Sequence, residues 1–509
     1  MIRVYNDMIV VPRTDPSYIP LKIGLERNNP ERIVYSKRGK ITLPATTDRA
    51  YMNDRYNIFI PSGLFEYVKP MLHEYKDLRT QSHLHNTNEI IEHIEEYKDI
   101  LDGITLRAEQ IIACKKILAN HRCIVQMCTG AGKSEVMCAV SKMLAMANNN
   151  TIPTILILEP TIRLVNDMVA RFEKYGIPVV KYSNNRCIIE NCVNICHPKS
   201  LGNDLDKDES LLESVEVMFC DETHHLKSES WRKPTYRMSN LAYAVGVSAS
   251  AISQSHVNVK DIQGFDYNEL LTIESTGPIV MNVTADMMIG IGNLATPVLL
   301  MVNNPANEPI REQDIANWHK VVEIKLKSDR RIELVAESAK KFEDRNMKSL
   351  ILVSTIEWSR LILKKLHDIG STAVASYGGG KFEIYNGAEF INLGEDTMDK
   401  FSRGEFMILI GTSHLYEGVD IPNLDAIILA YGGKGERMQI QGLGRVLRKT
   451  KSGNMAYIVD FTDLQDVVLR KHSRMRMERY RDIIGIPNER IYYNVEIDEF
   501  DMIIDKYEK

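Results

Sequence analysis

A glycine-bearing turn, Cys128-Thr129-Gly130-Ala131-Gly132-Lys133-Ser134, follows the apolar run CIVQM and opens the helical pattern EVMCAVSKMLAMA. Gly130 and Gly132 let the backbone curl so that its N–H groups and the helix N-terminus converge on a phosphate. Lys133 adds a point charge for the β- and γ-phosphates of ATP, and the Ser134 hydroxyl suits a Mg2+ ligand. The pattern GxxxxGK[ST] is met except at its first glycine, where Met127 stands. Further on, the run EVMFC delivers Asp221-Glu222-Thr223-His224 to the C-terminal end of a predicted strand, the edge at which open α/β sheets bind ligands. Asp221 suits a water-mediated hold on the metal, and Glu222 the orientation and deprotonation of an attacking water. A third group, Gln441-Gly442-Leu443-Gly444-Arg445-Val446-Leu447-Arg448, spaces Gln441, Arg445 and Arg448 at i, i+4 and i+7, on one face of a predicted helix. Two guanidinium forks so placed suit a γ-phosphate whose charge spreads in the transition state. These residues predict an ATP hydrolysis site. Lys133, Asp221, Glu222, Gln441, Arg445 and Arg448 are its catalytic candidates, Thr129 to Ser134 its phosphate cradle, and Ser134 with Asp221 its Mg2+ ligands.

Such groups meet only if parallel strands deliver them to a common edge. From about residue 101 the chain alternates helical patterns with short apolar runs: CIVQM, TILILEP, VNIC, EVMFCDE and AVGVSAS. The alternation recurs with SLILVS, TAVASY, FMILIGTS, DAIILAY and MAYIVDF. Buried parallel strands read this way, so the fold class is α/β with two tandem parallel-sheet lobes. Residues 252–325, with Pro278, Pro297, Pro305 and Pro309, read as the end of the first lobe and a linker. The opening residues carry β-branched and aromatic stretches such as ERIVYSKRGKITLP, which predict a small, separate α+β module. The expected boundaries are 1–90 for this module, 91–305 and 306–480 for the lobes, and 481–509 for an acidic surface tail.

Composition narrows the partners. At 509 residues one core is unexpected, and 44% hydrophobic with 26% charged residues is ordinary globular usage. A net charge of −5 gives no bulk attraction to a polyanion, so nucleic-acid binding must come from local basic surfaces. Residues 1–80 are one such region, with 13 Lys and Arg against 9 Asp and Glu. Cys187, Cys192, Cys196 and His197 cluster without the paired spacing of a zinc site, and several of the cysteines lie inside apolar strand-like runs, as reduced, buried thiols do. No run reaches the roughly 18 apolar residues of a membrane span, and the first residues lack a signal peptide's apolar centre. The expectation is a soluble, cytoplasmic protein.

With the phosphate loop, DETH and QGLGRVLR in this order, the chain resembles superfamily-2 helicases of the DExH kind, which implies RecA-like lobes. The resemblance extends over roughly residues 104–462, and it assigns the remaining motifs. Arg107 and Gln110 in LRAEQ look like the adenine-reading element. Thr161 and Arg163 in EPTIRL, and Lys199 and Ser200 in HPKSL, resemble the strand-gripping motifs of lobe one. Ser248 and Ser250 in SAS, with His224, resemble the elements that link hydrolysis to movement. Ser354 and Thr355 resemble a gripping motif of lobe two, Thr412 and Ser413 add backbone contacts, and Gly418 and Asp420 in EGVD touch the nucleotide. Within the superfamily the resemblance runs to phage UvsW-type helicases. It implies a DNA helicase or translocase that unwinds or branch-migrates forks, Holliday junctions and displacement loops in replication, recombination or repair; a monomer is favoured, with the oligomeric state open. The N-terminal module, through Lys37, Arg38 and Lys40, would then grip a duplex arm. An RNA helicase, a double-strand translocase and an ATP-switched clamp without unwinding stay open at this point.

Overall fold

The computed structural model describes residues 1–508 apart from 6–7, 30–31, 37–38, 44–45, 80–81, 83, 85, 183–186, 305–325, 378–380, 395, 413–414, 416–420, 422–423, 433–442, 445, 449–454, 464–466 and 483. It divides into two compact units, Met1–Val283 and Thr284–Lys509. No helix among the described residues is long and apolar enough to cross a membrane.

The first unit opens with β1 (Ile2–Val4), β2 (Met8–Pro12), β3 (Glu26–Asn29), β4 (Arg32–Ser36), β5 (Gly39–Leu43), β6 (Thr46–Arg49), β7 (Met52–Asn53), β8 (Asn57–Pro61) and β9 (Tyr75–Asp77). Five of these form a sheet in the order β7-β8-β2-β1-β9, while β3 pairs with β6 and β4 with β5. Alternation along β1, β2 and β8 points Ile2, Val4, Ile9, Val11, Ile58 and Ile60 to one buried face. A sheet with one apolar face needs a second layer. The helix Tyr18–Leu25 supplies part of it. The rest comes from the lobe that follows, because the same core continues through Ile124, Ile252, Ile262, Leu270 and Ile273.

The expected separate module is therefore docked on the first lobe. Two features seal it. A Cβ on Gly63 would lie 2.3 Å from the Ile273 carbonyl oxygen, so only glycine permits this approach of backbone to backbone. Arg27 reaches across the junction to donate to the carbonyls of Phe265 at 2.9 Å and Ile262 at 2.6 Å.

The lobe itself is a seven-stranded sheet of β10 (Arg122–Met127), β11 (Ile155–Leu158), β12 (Val179–Lys181), β13 (Val193–Cys196), β14 (Val217–Asp221), β15 (Tyr243–Ser248) and β16 (Ile279–Val283), in the order β12-β13-β11-β14-β15-β10-β16. Every pairing in it is parallel. Strands β11, β13, β14 and β15 are buried at every residue, as sheets covered on both faces require.

The second unit is a nine-stranded sheet of β17 (Thr296–Asn303), β18 (Ser349–Leu352), β19 (Ala373–Tyr377), β20 (Lys381–Tyr385), β21 (Phe390–Leu393), β22 (Ile408–Gly411), β23 (Ala426–Leu429), β24 (Met455–Thr462) and β25 (Ile491–Val495), ordered β21-β20-β19-β22-β18-β23-β24-β17-β25. Two boundaries differ from expectation. Residues 296–303, assigned from sequence to the end of the first lobe, are a strand of this second sheet. The apolar run TPVLLMVN pairs with β24 along its whole length, and that ladder outweighs the proline that suggested a linker. The expected surface tail likewise contributes β25, which pairs with β17. The helix Phe500–Glu508 then presents Asp501 to Lys341 at 2.6 Å and Arg345 at 3.0 Å.

Under β24 lies a buried ionic cluster. Arg476 donates to Asp460 at 2.7 and 3.0 Å, and Tyr480 donates to the same carboxylate at 2.5 Å. Arg476 and Asp460 are both fully buried. Removing one partner of such a pair strands the other charge in the core. Arg476→Met is expected to cost about 3–5 kcal/mol in urea-induced unfolding, with Arg476→Lys recovering only part. A loss within the error of the measurement would mean that Asp460 finds another partner.

Candidate nucleotide site

β10 ends at Met127, which is fully buried and pairs with Val283 of β16. The residue standing in place of the pattern's first glycine is thus a core residue, and the turn begins after it. Gly130 and Gly132 adopt φ of 87° and 81°, where glycine is free of the penalty that a Cβ would bring. The helix Lys133–Ala147 starts at the end of that turn, with Ser134 in its first turn. Arg107 and Gln110 lie against the loop from the side. Arg107 donates to the Gly130 carbonyl at 3.1 Å, and the Gln110 amide donates to the carbonyls of Ala131 and Gly132, each at 3.4 Å.

Across from the loop, β14 carries Asp221 as its last residue. Glu222 then turns with φ of 46°, a left-handed conformation rare for a residue with a side chain and typical of sites where function fixes the backbone. The turn aims the Glu222 carboxylate back at Lys133, whose Nζ lies 3.3 Å from Oε1. The other oxygen accepts from Ser248 Oγ at 3.0 Å and lies 3.3 Å from His224 Nδ1. His224 and Ser248 are 3.2 Å apart, and the N–H of Ser250 donates to Ser248 Oγ at 3.2 Å. Glu222, Lys133, His224 and the Ser-Ala-Ser turn therefore form one network at the C-terminal edge of one sheet.

The buried charges divide by environment. Burial pushes Asp221 up to about 6, against the pull of Lys133. Burial also works to raise Glu222, but Lys133, His224 and Ser248 outweigh it and hold that carboxyl below its ordinary range. Burial acts to lower Lys133, and Glu222 with Asp221 more than restores it, so the ammonium stays charged. The network keeps Glu222 ionised, as a base must be.

The strand-gripping candidates of the first unit lie at the same sheet edge. Thr161 caps the helix Ile162–Lys174, its hydroxyl accepting from Leu164 N at 3.2 Å, and Arg163 is exposed. Lys199 is exposed and Ser200 half-buried at the start of the helix Pro198–Leu205. Between this edge and the base runs a row of rings. His224 lies 4.4 Å from His225, which stacks on Trp231 at 4.8 Å, and Trp231 meets His197 edge-on at 6.4 Å. His197 Nδ1 accepts the Lys199 N–H at 3.1 Å. Sequence reasoning gave His225 and Trp231 no role, because stacking across loops leaves no periodic signal. It also passed over Glu159, quoted only as part of EPTIRL.

In the second unit, Ser354 and Thr355 are exposed after β18, and Thr355 caps the helix Ile356–Asp368 by accepting from Trp358 N at 3.2 Å. Thr412 follows β22 and is half-buried. Arg448 is half-buried, but it departs from the expected helix face. Leu443, Gly444 and Val446 are helical, whereas Leu447 and Arg448 lie in a turn and a bend. The Leu447 carbonyl is taken by the N–H of Ala295 at 2.7 Å, which ends the helix before Arg448. Gln441, Arg445, Ser413, Gly418, Asp420, Lys37 and Arg38 lie outside the described residues, and Lys40 sits on β5.

Comparison with known proteins agrees with this architecture. Residues 103–252 match the family model described as "Type III restriction enzyme, res subunit", and residues 330–450 match "Helicase conserved C-terminal domain". A DNA 3'-5' translocase XPB2 of Sulfurisphaera tokodaii is 22% identical over 69% of this chain and 80% of that protein. The structure of S. cerevisiae Dbp5 bound to RNA and ADP BeF3 covers 82% of this chain and 97% of its own, at 14% identity and a TM-score of 0.53. That of T4 UvsW covers 97% and 99%, at 16% identity and a TM-score of 0.41.

Two substitutions separate the roles at this site. Glu222→Gln keeps the shape and removes the base, so ATP turnover is expected to fall by about 10²-fold or more while nucleotide still binds. Lys133→Ala is expected to lose nucleotide affinity and turnover together. Steady-state ATPase rates with equilibrium binding of a fluorescent ATP analogue check both, and wild-type turnover in either would remove that residue from the site.

Proposed function

The chain belongs to superfamily 2 of the helicases, enzymes that hydrolyse ATP to drive a nucleic-acid motor, and on that premise we propose that it works on branched DNA. The observation that carries the proposal is the docking of the N-terminal module on the first lobe. Arg27, Gly63 and a shared core bind the two into one body. Any duplex arm held by the module's basic residues Lys37, Arg38 and Lys40 then moves with the lobe that binds ATP. The sequence resemblance to UvsW-type helicases points the same way, and the archaeal relative is named a DNA translocase.

The nucleotide site fits ATP with Mg2+. The left-handed turn at Gly130 and Gly132 frees backbone N–H groups for phosphate, and Ser134 with Asp221 would hold the metal. When bound, ATP with Mg2+ supplies the phosphoryl group and a cation that offsets its charge. Lys133 and Glu222 occupy each other until phosphate competes for the lysine. Glu222 Oε1 is then free to take the proton of a water that its own carboxylate orients. Ser248 and His224 keep Oε2 fixed during that transfer. Arg448, with Arg445, is assigned to the γ-phosphate, and Gln110 with Arg107 to the base.

A second reading rests on the archaeal relative's name: a translocase that moves along duplex without separating strands. Unwinding assays on forks, Holliday junctions, displacement loops and linear partial duplexes, with matched DNA and RNA strands in the ATPase assay, decide between them. Forks and junctions are expected to be opened several-fold faster than linear duplexes, with DNA the stronger stimulant. The combined change Lys37→Glu, Arg38→Glu, Lys40→Glu is expected to weaken junction binding and flatten its salt dependence, by about one unit of slope for each phosphate no longer neutralised. Deleting the module is the wrong test, because it would uncover Ile124, Ile252 and Ile273. Equal rates on all four substrates would remove the branched-DNA assignment, and displacement of a roadblock without strand separation would favour the translocase.

A further inference from the structure

Glu159 follows β11 at the functional edge of the first sheet. β11 runs beside β14 in the register Leu158 to Cys220, which brings residue 159 level with Asp221. Its backbone is tied in place, the Glu159 N–H donating to the Cys196 carbonyl at 2.9 Å. The residue is 0% exposed, and among the described residues neither carboxylate oxygen has a hydrogen-bond partner. The charged groups that act on it are Asp221, Glu222, Lys133 and Asp167. It therefore faces into the acidic end of the nucleotide site, beside the carboxyl groups of Asp221 and Glu222, where burial and those neighbours push its own carboxyl well above the ordinary range.

A buried carboxyl without a partner is costly, and such a group in a native structure calls for a functional or ligand-binding explanation. An apolar residue would extend the buried run Ile155–Leu158 without that cost. Nothing in the hydrolysis chemistry above employs Glu159. We propose that Glu159 is a positioning residue of the magnesium site: its carboxylate accepts hydrogen bonds from water ligands of the ion that Ser134 and Asp221 hold. Water ligands of that ion satisfy both orphaned oxygens, and its positive charge offsets the cost of burying the carboxylate. Outer groups of this kind orient the ligands that touch a metal and set its affinity. The inference rests on the reading that the loop binds nucleotide with Mg2+.

The test uses the full chain with ADP, and Mn2+ as a paramagnetic stand-in for Mg2+, its free fraction read by electron paramagnetic resonance. Nucleotide-dependent Mn2+ binding by the wild-type protein is the control. Its absence would overturn the magnesium reading itself, and this inference with it. Given that control, Glu159→Gln is expected to weaken Mn2+ binding by about tenfold or more, with ADP affinity in the absence of metal within about twofold, as for a group that acts through the ion's water. A second variant separates this role from a structural one. Glu159→Met, thermally unfolded without metal or nucleotide, is expected to raise the unfolding midpoint, because it removes an unsatisfied buried group. Wild-type Mn2+ affinity in Glu159→Gln, or a lowered metal-free midpoint in Glu159→Met, would overturn the proposal and leave Glu159 a structural carboxyl satisfied by buried water.

Discussion

Lys133 and Glu222 come from elements far apart in the chain, yet their side chains meet 3.3 Å apart in a largely buried pocket. Neither charge is tolerable there alone, since an unpaired ion out of water costs several kcal/mol, of order 3–5 when one partner of a buried pair is removed. The pairing therefore constrains everything that positions it. The glycine turn must present the lysine at a helix start, and β14 must end at the residue before Glu222. Glu222 must accept a left-handed backbone to face the loop. Thr223 helps to hold that turn, its hydroxyl donating to Cys220 O at 2.8 Å and Val247 O at 3.1 Å. Gly246 permits the approach, because a Cβ there would lie 2.6 Å from the Thr223 methyl. A site built this way is strained and charged, and the rigid parallel sheet beneath it offsets both.

The two units solve one local problem identically. After a fully buried four-residue strand, β11 or β18, the chain turns through an extended threonine that caps a 13-residue helix. Thr161 has φ −139° and ψ 152°, and Thr355 has φ −141° and ψ 153°. In both, the hydroxyl accepts from the third residue of the helix, and the first helical residue is an exposed isoleucine, Ile162 or Ile356. The cap satisfies a helix N–H that would otherwise face solvent, and it leaves the helix start open at the sheet edge. In the first unit the same edge also carries Glu222, and the rings of His224, His225, Trp231 and His197 run in a row beside it.

Legibility in the sequence followed the range of the interaction. All ten apolar runs named as strands are strands, because a strand buried on both faces writes its burial into consecutive residues. The turn at Gly130 and Gly132 and the acidic pair ending β14 were equally visible, since turn chemistry is local. What was hidden depends on partners distant in the chain. β17 was obscured by Pro297, and only its ladder to β24 identifies the sheet it joins. The N-terminal strands gave a correct α+β reading but not their docking. That docking resides in the Gly63 contact with Ile273 and in the bonds from Arg27 to Ile262 and Phe265, none of which alters local periodicity. Arg448 shows the same limit in reverse. Its spacing fits a helix face, yet one hydrogen bond from Ala295 to the Leu447 carbonyl ends the helix first. Glu159 is the sharpest case: as one letter of EPTIRL it carries no local sign of burial. Only the register of β11 against β14 turns it into a buried carboxyl beside Asp221. Spacing along the chain thus names the chemistry, and sheet order decides which of the named groups meet.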